Sequence, residues 1–255
     1  MKIHPLIPFA FALLAAVCVH AETYDFKESF SRTGAFSATG KISLKNINGS
    51  IAVETWDKNE IKIEGEKSAK TEEELKLIEL TINLSDATAD IMVRLPKRSG
   101  SFFGGKSIRG AVKFKLMVPA SASLDRIQTV NSSVDIDGVR GETYVETVNG
   151  QIHAHDLGGK AHLETVNGGV EASFSAVTAH QDLLLKSVNG SIKAALPADS
   201  GFQLRSSVVN GRVSCDFLID GQNRSKARQL AGKVGDGRTA LTAESVNGSV
   251  HIEKR

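Results

Sequence analysis

The sequence predicts an all-β protein: a single-chain parallel β-helix, or β-solenoid, with short coils of about 18–22 residues. Three observations predict it. An Asn-Gly corner motif recurs along the chain, residues at fixed offsets from it form columns of one chemical type, and apolar and polar columns alternate.

The motif stands at Asn48-Gly49, Asn131-Ser132, Asn149-Gly150, Asn167-Gly168, Asn189-Gly190, Asn210-Gly211 and Asn247-Gly248. From Asn131 onward the spacings are 18, 18, 22, 21 and 37 residues. The last is close to two periods, which predicts a coil without the motif or an excursion. Val130, Val148, Val166, Val188, Val209 and Val246 precede the Asn, with Ile47 in the outlying copy. Two residues before it stand Thr129, Thr147, Thr165, Ser187, Val208 and Ser245. Three after it come Val134, Ile152, Val170, Ile192, Val213 and Val250; five after it come Ile136, Ala154, Ala172, Ala194, Cys215 and Ile252. Between those two columns lie Asp135, His153, Glu171, Lys193, Ser214 and His251.

A β-meander can use Asn-Gly in its tight turns, but it gives no reason for one side-chain type to return at one offset. Coils stacked about 4.8 Å apart do. The expected arrangement has the Val beside each Asn anchored inside and the Asn amides hydrogen-bonded along the axis. The Thr/Ser column is expected to bond in the same way. A second corner at Val139-Arg140-Gly141 and Leu157-Gly158-Gly159 implies a flattened, two-faced coil with a thin core of Ala, Thr, Val and Leu. The crossover rule gives right-handed winding.

Residues 121–255 carry the regular repeats, and residues 22–120 read as irregular coils with one helix. In that N-terminal part, Ile61 and Ile63, then Leu80, Ile82 and Leu84, then Ile91, Val93 and Leu95, then Val112, Phe114, Leu116 and Val118 alternate as strands do. Thr71 to Glu79 is the expected helix, with Thr71 and Glu74 spaced as a capping box. Such atypical segments can cover an open solenoid end. The C-terminal end, which finishes just after the last Val-Asn-Gly-Ser-Val, is expected to be poorly capped.

Residues 1–21 read as a transport signal. Lys2 supplies the positive start, Leu6 to Val19 is apolar, and Val19-His20-Ala21 suits cleavage before Glu22. The run falls short of the 20 or so residues a membrane span needs. Lipidation at Cys18 is disfavoured by Val17, which stands where that signal has a small residue. The expected location is therefore the periplasm or the cell surface, with no membrane span in the mature chain. A formal net charge of +2 gives no general attraction to nucleic acid. Loss of Cys18 leaves Cys215 without a disulfide partner, so packing and hydrogen bonds must hold the fold.

Several segments together resemble a widespread bacterial family of adhesin-like β-strand-repeat domains of unknown function. They are Thr-Val-Asn-Gly at 147–150 and 165–168, Ser-Val-Asn-Gly at 187–190 and 245–248, Leu-Met-Val-Pro at 116–119, and the Glu72-Glu73-Glu74-Leu75 helix start. The Phe103-Gly104-Gly105 loop and the Gly232–Gly237 segment belong to the same resemblance. It runs from Lys41 to the C-terminus and departs at Ser132, which replaces Gly, and at Ser206-Ser207-Val208. It implies the repeat architecture and adhesin-like binding, and some members are linked to envelope-stress or signalling systems.

Residues with chemical potential each have a plainer reading. His153 and His155 share an outward face at i, i+2, as a metal pair would, but His162 falls on the strand beyond the corner; solvated surface histidines fit better. Asp135 and Glu171 lie in one outward column two coils apart, about 10 Å, too wide for a retaining glycosidase pair; Asp137 accompanies them. Gly232–Gly237 lacks the strand and helix of a phosphate cradle. Cys215 lies in a core column. The candidate interaction surface is Phe102 and Phe103 in a Gly-rich loop, with the basic residues Arg224, Lys226 and Arg228. No cofactor, metal or catalytic residue is assigned. The expected function is that of a non-catalytic interaction or scaffold module, its partner an envelope protein or a surface glycan. The alternatives are the ligand-binding part of an envelope-stress system and a carbohydrate-active β-helix enzyme. On the column assignment, Val166→Asp is expected to abolish folding and Glu171→Ala to be nearly silent.

Overall fold

A computed structural model describes residues 25–95, 109–221 and 227–255. Two ten-stranded sheets face each other across one core. In each regular coil the strand before the Asn corner lies in sheet I and the strand after it in sheet II. The regular middle is formed by β8 (Ser123–Thr129) and β9 (Val134–Asp137), β10 (Thr143–Asn149) and β11 (Ile152–Leu157), β12 (Ala161–Asn167) and β13 (Val170–Phe174), then β14 (Asp182–Asn189) and β15 (Ile192–Leu196). All pair in parallel, coil on coil, with Asn131, Asn149, Asn167 and Asn189 at matching corners.

The columns three and five residues after the Asn are buried, from Val134 and Ile136 to Val250 and Ile252. In sheet I the interior is Leu124, Ile127, Val145, Leu163, Leu183 and Leu185 together with the hydroxyl column Thr129, Thr147, Thr165 and Ser187. Each fully buried Val, Leu or Ile contributes about 2 kcal/mol of transfer free energy. A thin core is therefore sufficient when it is repeated along the whole axis.

The Val column is not inside. Val130, Val148, Val166, Val188 and Val246 are 37–40 % exposed and Val209 is 59 % exposed. The phase is set by the deep residues: with Leu163 and Thr165 pointing inward, strand alternation turns Val166 outward. The hydroxyl takes the interior place because it has a partner there. Thr147 Oγ1 donates to the Ser132 carbonyl at 3.0 Å, Thr165 Oγ1 to that of Gly150 at 2.9 Å, and Ser187 Oγ to that of Gly168 at 2.8 Å. These three hydroxyls tie each coil to the corner of its neighbour, not to one another, whereas the buried Thr129 Oγ1 has no such partner among the described residues. Val166→Asp consequently places its carboxylate at a solvent-facing position, which removes the physical reason for expecting it to abolish folding.

The Asn ladder is continuous. Asn131 Nδ2 donates to Asn48 Oδ1, Asn149 to Asn131, Asn167 to Asn149 and Asn189 to Asn167, each at 2.8 Å. The glycine after each Asn is required by close approach: a Cβ on Gly168 would lie 1.9 Å from the Gly150 carbonyl oxygen.

Coil order departs from chain order at both ends. The coil of β2 (Lys41–Lys45) and β3 (Ile51–Trp56) lies against β8 and β9. On its far side are β6 (Thr88–Arg94) and β7 (Gly110–Pro119), which come later in the sequence. Beyond these the pairing turns antiparallel, with β4 (Glu60–Ala69) on β7, β1 (Phe26–Ala35) on β4, and β5 (Glu79–Leu84) on β6. The helix α1 (Glu72–Lys76) is capped as expected, Thr71 accepting from the Glu74 amide at 3.2 Å, but it ends before β5 instead of reaching Glu79.

At the other end, β19 (Thr239–Asn247) and β20 (Val250–Lys254) do not terminate the stack. They lie between β14/β15 and the earlier coil of β16 (Phe202–Asn210) and β17 (Val213–Cys215). The ladder therefore runs Asn189, Asn247, Asn210. An antiparallel strand, β18 (Gln229–Val234), closes sheet I beyond β16. The expectation of a poorly capped last coil is thus overturned: strand partners on both sides satisfy its backbone. The 37-residue spacing contains the excursion through β18.

Candidate functional site

Interior and corners are occupied by the scaffold, so the chemistry the surface can offer lies in the outward side chains. On sheet II these satisfy one another. His153 lies between Asp135 and Glu171 in register, with Nδ1 3.7 Å from Glu171 and Nε2 3.0 Å from Gln151 Oε1. Lys193 reaches Glu171 at 3.8 Å and Glu253 at 2.9 Å. Hydrogen bonding to Glu253 raises the Lys193 ammonium and lowers the Glu253 carboxyl from their usual values. Ser214 Oγ meets His251 Nδ1 at 2.8 Å. This is a solvated charge lattice of small energetic weight. His162 lies on β12 in sheet I, apart from His153 and His155, and among the described residues no group of three His, Cys, Asp or Glu side chains is placed to hold a metal ion. Cys215 is buried, and that burial raises its thiol pKa.

Sheet I differs. An open groove of about 340 Å³ runs across β8, β10 and β12, with Lys45 and Asn46 at one end. One wall is the exposed apolar rail Val130, Val148 and Val166; the other is Gln128, Glu146 and Glu164. Strand alternation creates the pair of walls, because residues i and i+2 of each strand both face out. Glu146 is fixed by Tyr144, whose hydroxyl donates to Oε1 at 2.5 Å, and by Gln128, which donates to Oε2. Partial burial pushes the Glu146 carboxyl up, but those hydrogen bonds and the nearby Arg126 and His162 outweigh it and hold it below its usual value. The bond to Glu146 raises the Tyr144 phenol in turn. The Tyr144 ring lies between the Arg126 guanidinium, 5.5 Å from its centroid, and the His162 ring, 4.4 Å away.

A larger cavity of about 570 Å³ follows the second corners and is lined by Asp137, Arg140, Asp156 and Arg255 among others. Asp156 and Arg255 pair across it at 2.6 Å. With two acidic and two basic groups, it presents no charge bias to a ligand.

The sequence-assigned surface is mostly beyond view: Phe102, Phe103, Arg224 and Lys226 lie outside the described residues, and Arg228 is exposed just before β18, its carbonyl accepting from Val208. The motif residues form two exposed lines, the Asn ladder and the Val rail. Sequence reasoning missed the rail's exposure, although the phase of Leu163, Leu185 and Leu241 carried the signal.

No curated protein matches the chain. Among solved structures it is similar to a "putative cell adhesion protein" from Clostridium sporogenes ATCC 15579, at 13 % identity over 89 % of this chain and 100 % of that one, with a TM-score of 0.49. It is also similar to a "putative adhesin" from Bacteroides fragilis NCTC 9343, at 13 % identity over 88 % and 97 % of the two chains, with a TM-score of 0.30. The model of one family, Toastrack DUF4097, matches residues 126–253, the stretch that holds most of the Asn corners. That match covers just over half of the sequence, and the chain belongs to the Toastrack DUF4097 family.

Proposed function

We propose that this chain is a non-catalytic interaction module of the bacterial envelope that binds an extended segment of a partner protein along the sheet I groove. The observation that carries this reading is the exposed Val130–Val148–Val166 rail facing a polar wall whose carboxylate is already held in place. Contiguous exposed apolar residues beside ordered polar groups are the anatomy of a recognition surface. A protein partner is favoured over a glycan because Arg126 and His162 flank the Tyr144 ring, leaving no open aromatic platform for sugar stacking. Export rests on the Lys2 start, the apolar Leu6–Val19 run and the Ala21 cleavage site.

The test compares wild type with Val148→Glu/Val166→Glu for retention on an isolated envelope fraction, with circular dichroism confirming that both are folded. The expected result is retention of the wild type, loss of at least tenfold in the variant, and loss for both after protease treatment of the fraction. Equal retention of the two would show that the groove is not the binding surface. Mass spectrometry of the protein recovered from cells should give a chain starting at Glu22; an intact N-terminus would remove the export reading.

A further inference from the structure

Asn189 and Asn210 are 21 residues apart, one ordinary period of the solenoid, yet a whole coil lies between them. The chain leaves β15, bridges the position of that coil within Pro197–Gly201, and lays down β16 and β17. Only after β18 does it return, through Gly235–Arg238, and fill the gap with β19 and β20.

The inserted coil pairs in parallel on both sides. Leu183 is opposite Leu241 and Leu241 opposite Leu204; Asn189 is opposite Asn247 and Asn247 opposite Asn210. In sheet II, Ile192 is opposite Val250 and Val250 opposite Val213. All three coils carry the same apolar and Asn columns, with Val208 standing where the others have Ser187 and Ser245, so column chemistry by itself would also allow β16/β17 to stack on β14/β15. Column chemistry therefore does not by itself require the gap to be filled by the chain's own β19/β20. Filling it buries Leu241, Ala243, Val250 and Ile252 completely, which favours the filled state whenever a matching coil is present.

The filling segment is joined to β18 by a short hinge in which Gly235 and Gly237 have φ of 55° and 69°. That backbone region is open to glycine and costly for other residues. Short hinges at the root of an element are where exchange between identical chains occurs, because the exchanged form keeps every contact of the original.

We infer that the slot between β14/β15 and β16/β17 is a coil-accepting site that takes residues 239–254 of a second copy of this chain in place of its own, giving a reciprocal coil-exchanged dimer. Because the slot is filled by residues that follow β16/β17 in the chain, exchange is decided during folding, before that segment has entered its own slot. The partner is specified by the columns: a hydroxyl and an Asn at the corner, and alternating apolar residues on either side of it.

The test uses two full-length variants in a Cys18→Ser/Cys215→Ser background, one carrying Lys186→Cys and the other Glu244→Cys. These positions face each other across β14 and β19, and their side chains are solvent-accessible. After co-refolding at high protein concentration, a short bis-maleimide should give a cross-linked heterodimer, while the two proteins folded separately and then mixed should give at least tenfold less. Wild-type chain refolded over the same range, followed by light scattering on a sizing column, should show a dimer fraction that rises with refolding concentration and survives dilution. A wild type that stays monomeric at every concentration overturns the inference, and so does a dimer without the cross-link. Should either substitution prevent folding, Lys193→Cys with His251→Cys reads the same slot from sheet II.

Discussion

At Gly168 and Gly190, an added Cβ would lie 1.9 Å from a carbonyl oxygen of the neighbouring corner, closer than any real contact. Gly168→Ala should therefore force two coils apart and cost on the order of 3 kcal/mol or more, read as a drop in the denaturation midpoint. Val166→Asp, two residues away, should cost about 1 kcal/mol or less, since its site is solvent-facing; complete unfolding of that variant would place Val166 back in the core. Leu163→Asp is the counterpart that should not fold, because it buries a charge without a partner. Glu146 supplies a pH signature. Its folded pKa lies below the unfolded value, so its contribution is complete above about 4.3 and is lost as pH falls through the folded value. Tyr144→Phe removes one of its hydrogen bonds, and in a titration followed by NMR the Glu146 carboxyl should move upward.

At the scale of elements, the Asn ladder and the hydroxyl column act as two seams beside the apolar core. An interior Asn both donates and accepts, so Asn167→Ala removes two bonds, one to Asn149 and one from Asn189. The expected loss is about 1–2 kcal/mol, since each net hydrogen bond contributes about 0.5–1.5 kcal/mol. Urea unfolding of that variant checks it, and an unchanged midpoint would show the ladder to be ornamental. Much of this was legible in sequence: the columns after the Asn, the Asn stacking and the Thr71 cap all follow from offset and residue type. The phase of the strand before the corner was not read correctly, because Val next to a turn suggests burial by its apolarity alone. Apolarity gives a preference; the position of Leu163 and Thr165 on the same strand gives the phase, and the phase decides.

For the molecule as a whole, the inserted last coil makes a prediction that chain order would contradict. Amides of β19 and β20 should exchange as slowly as those of β12 and β13, since both coils have neighbours on each side. Rapid exchange of β19 and β20 in a native-state experiment would mean that they fray like an ordinary terminus. At one end β4, β1 and β5 turn antiparallel, and at the other β18 closes sheet I, which leaves among the described residues only the short β17 (Val213–Cys215) as an open parallel edge.

By itself, the sequence determined the all-β solenoid, its period, its interior columns after each corner and the stacking of its asparagines. These depend on side-chain type recurring at fixed offsets, which is a local property. Which coil lies on which was decided only in three dimensions. Every coil carries nearly the same columns, so column chemistry cannot distinguish Asn210 from Asn247 as the neighbour of Asn189. Packing distinguishes them by placing β16/β17, with the covering strand β18, at the end, where the last coil gains a partner on each side.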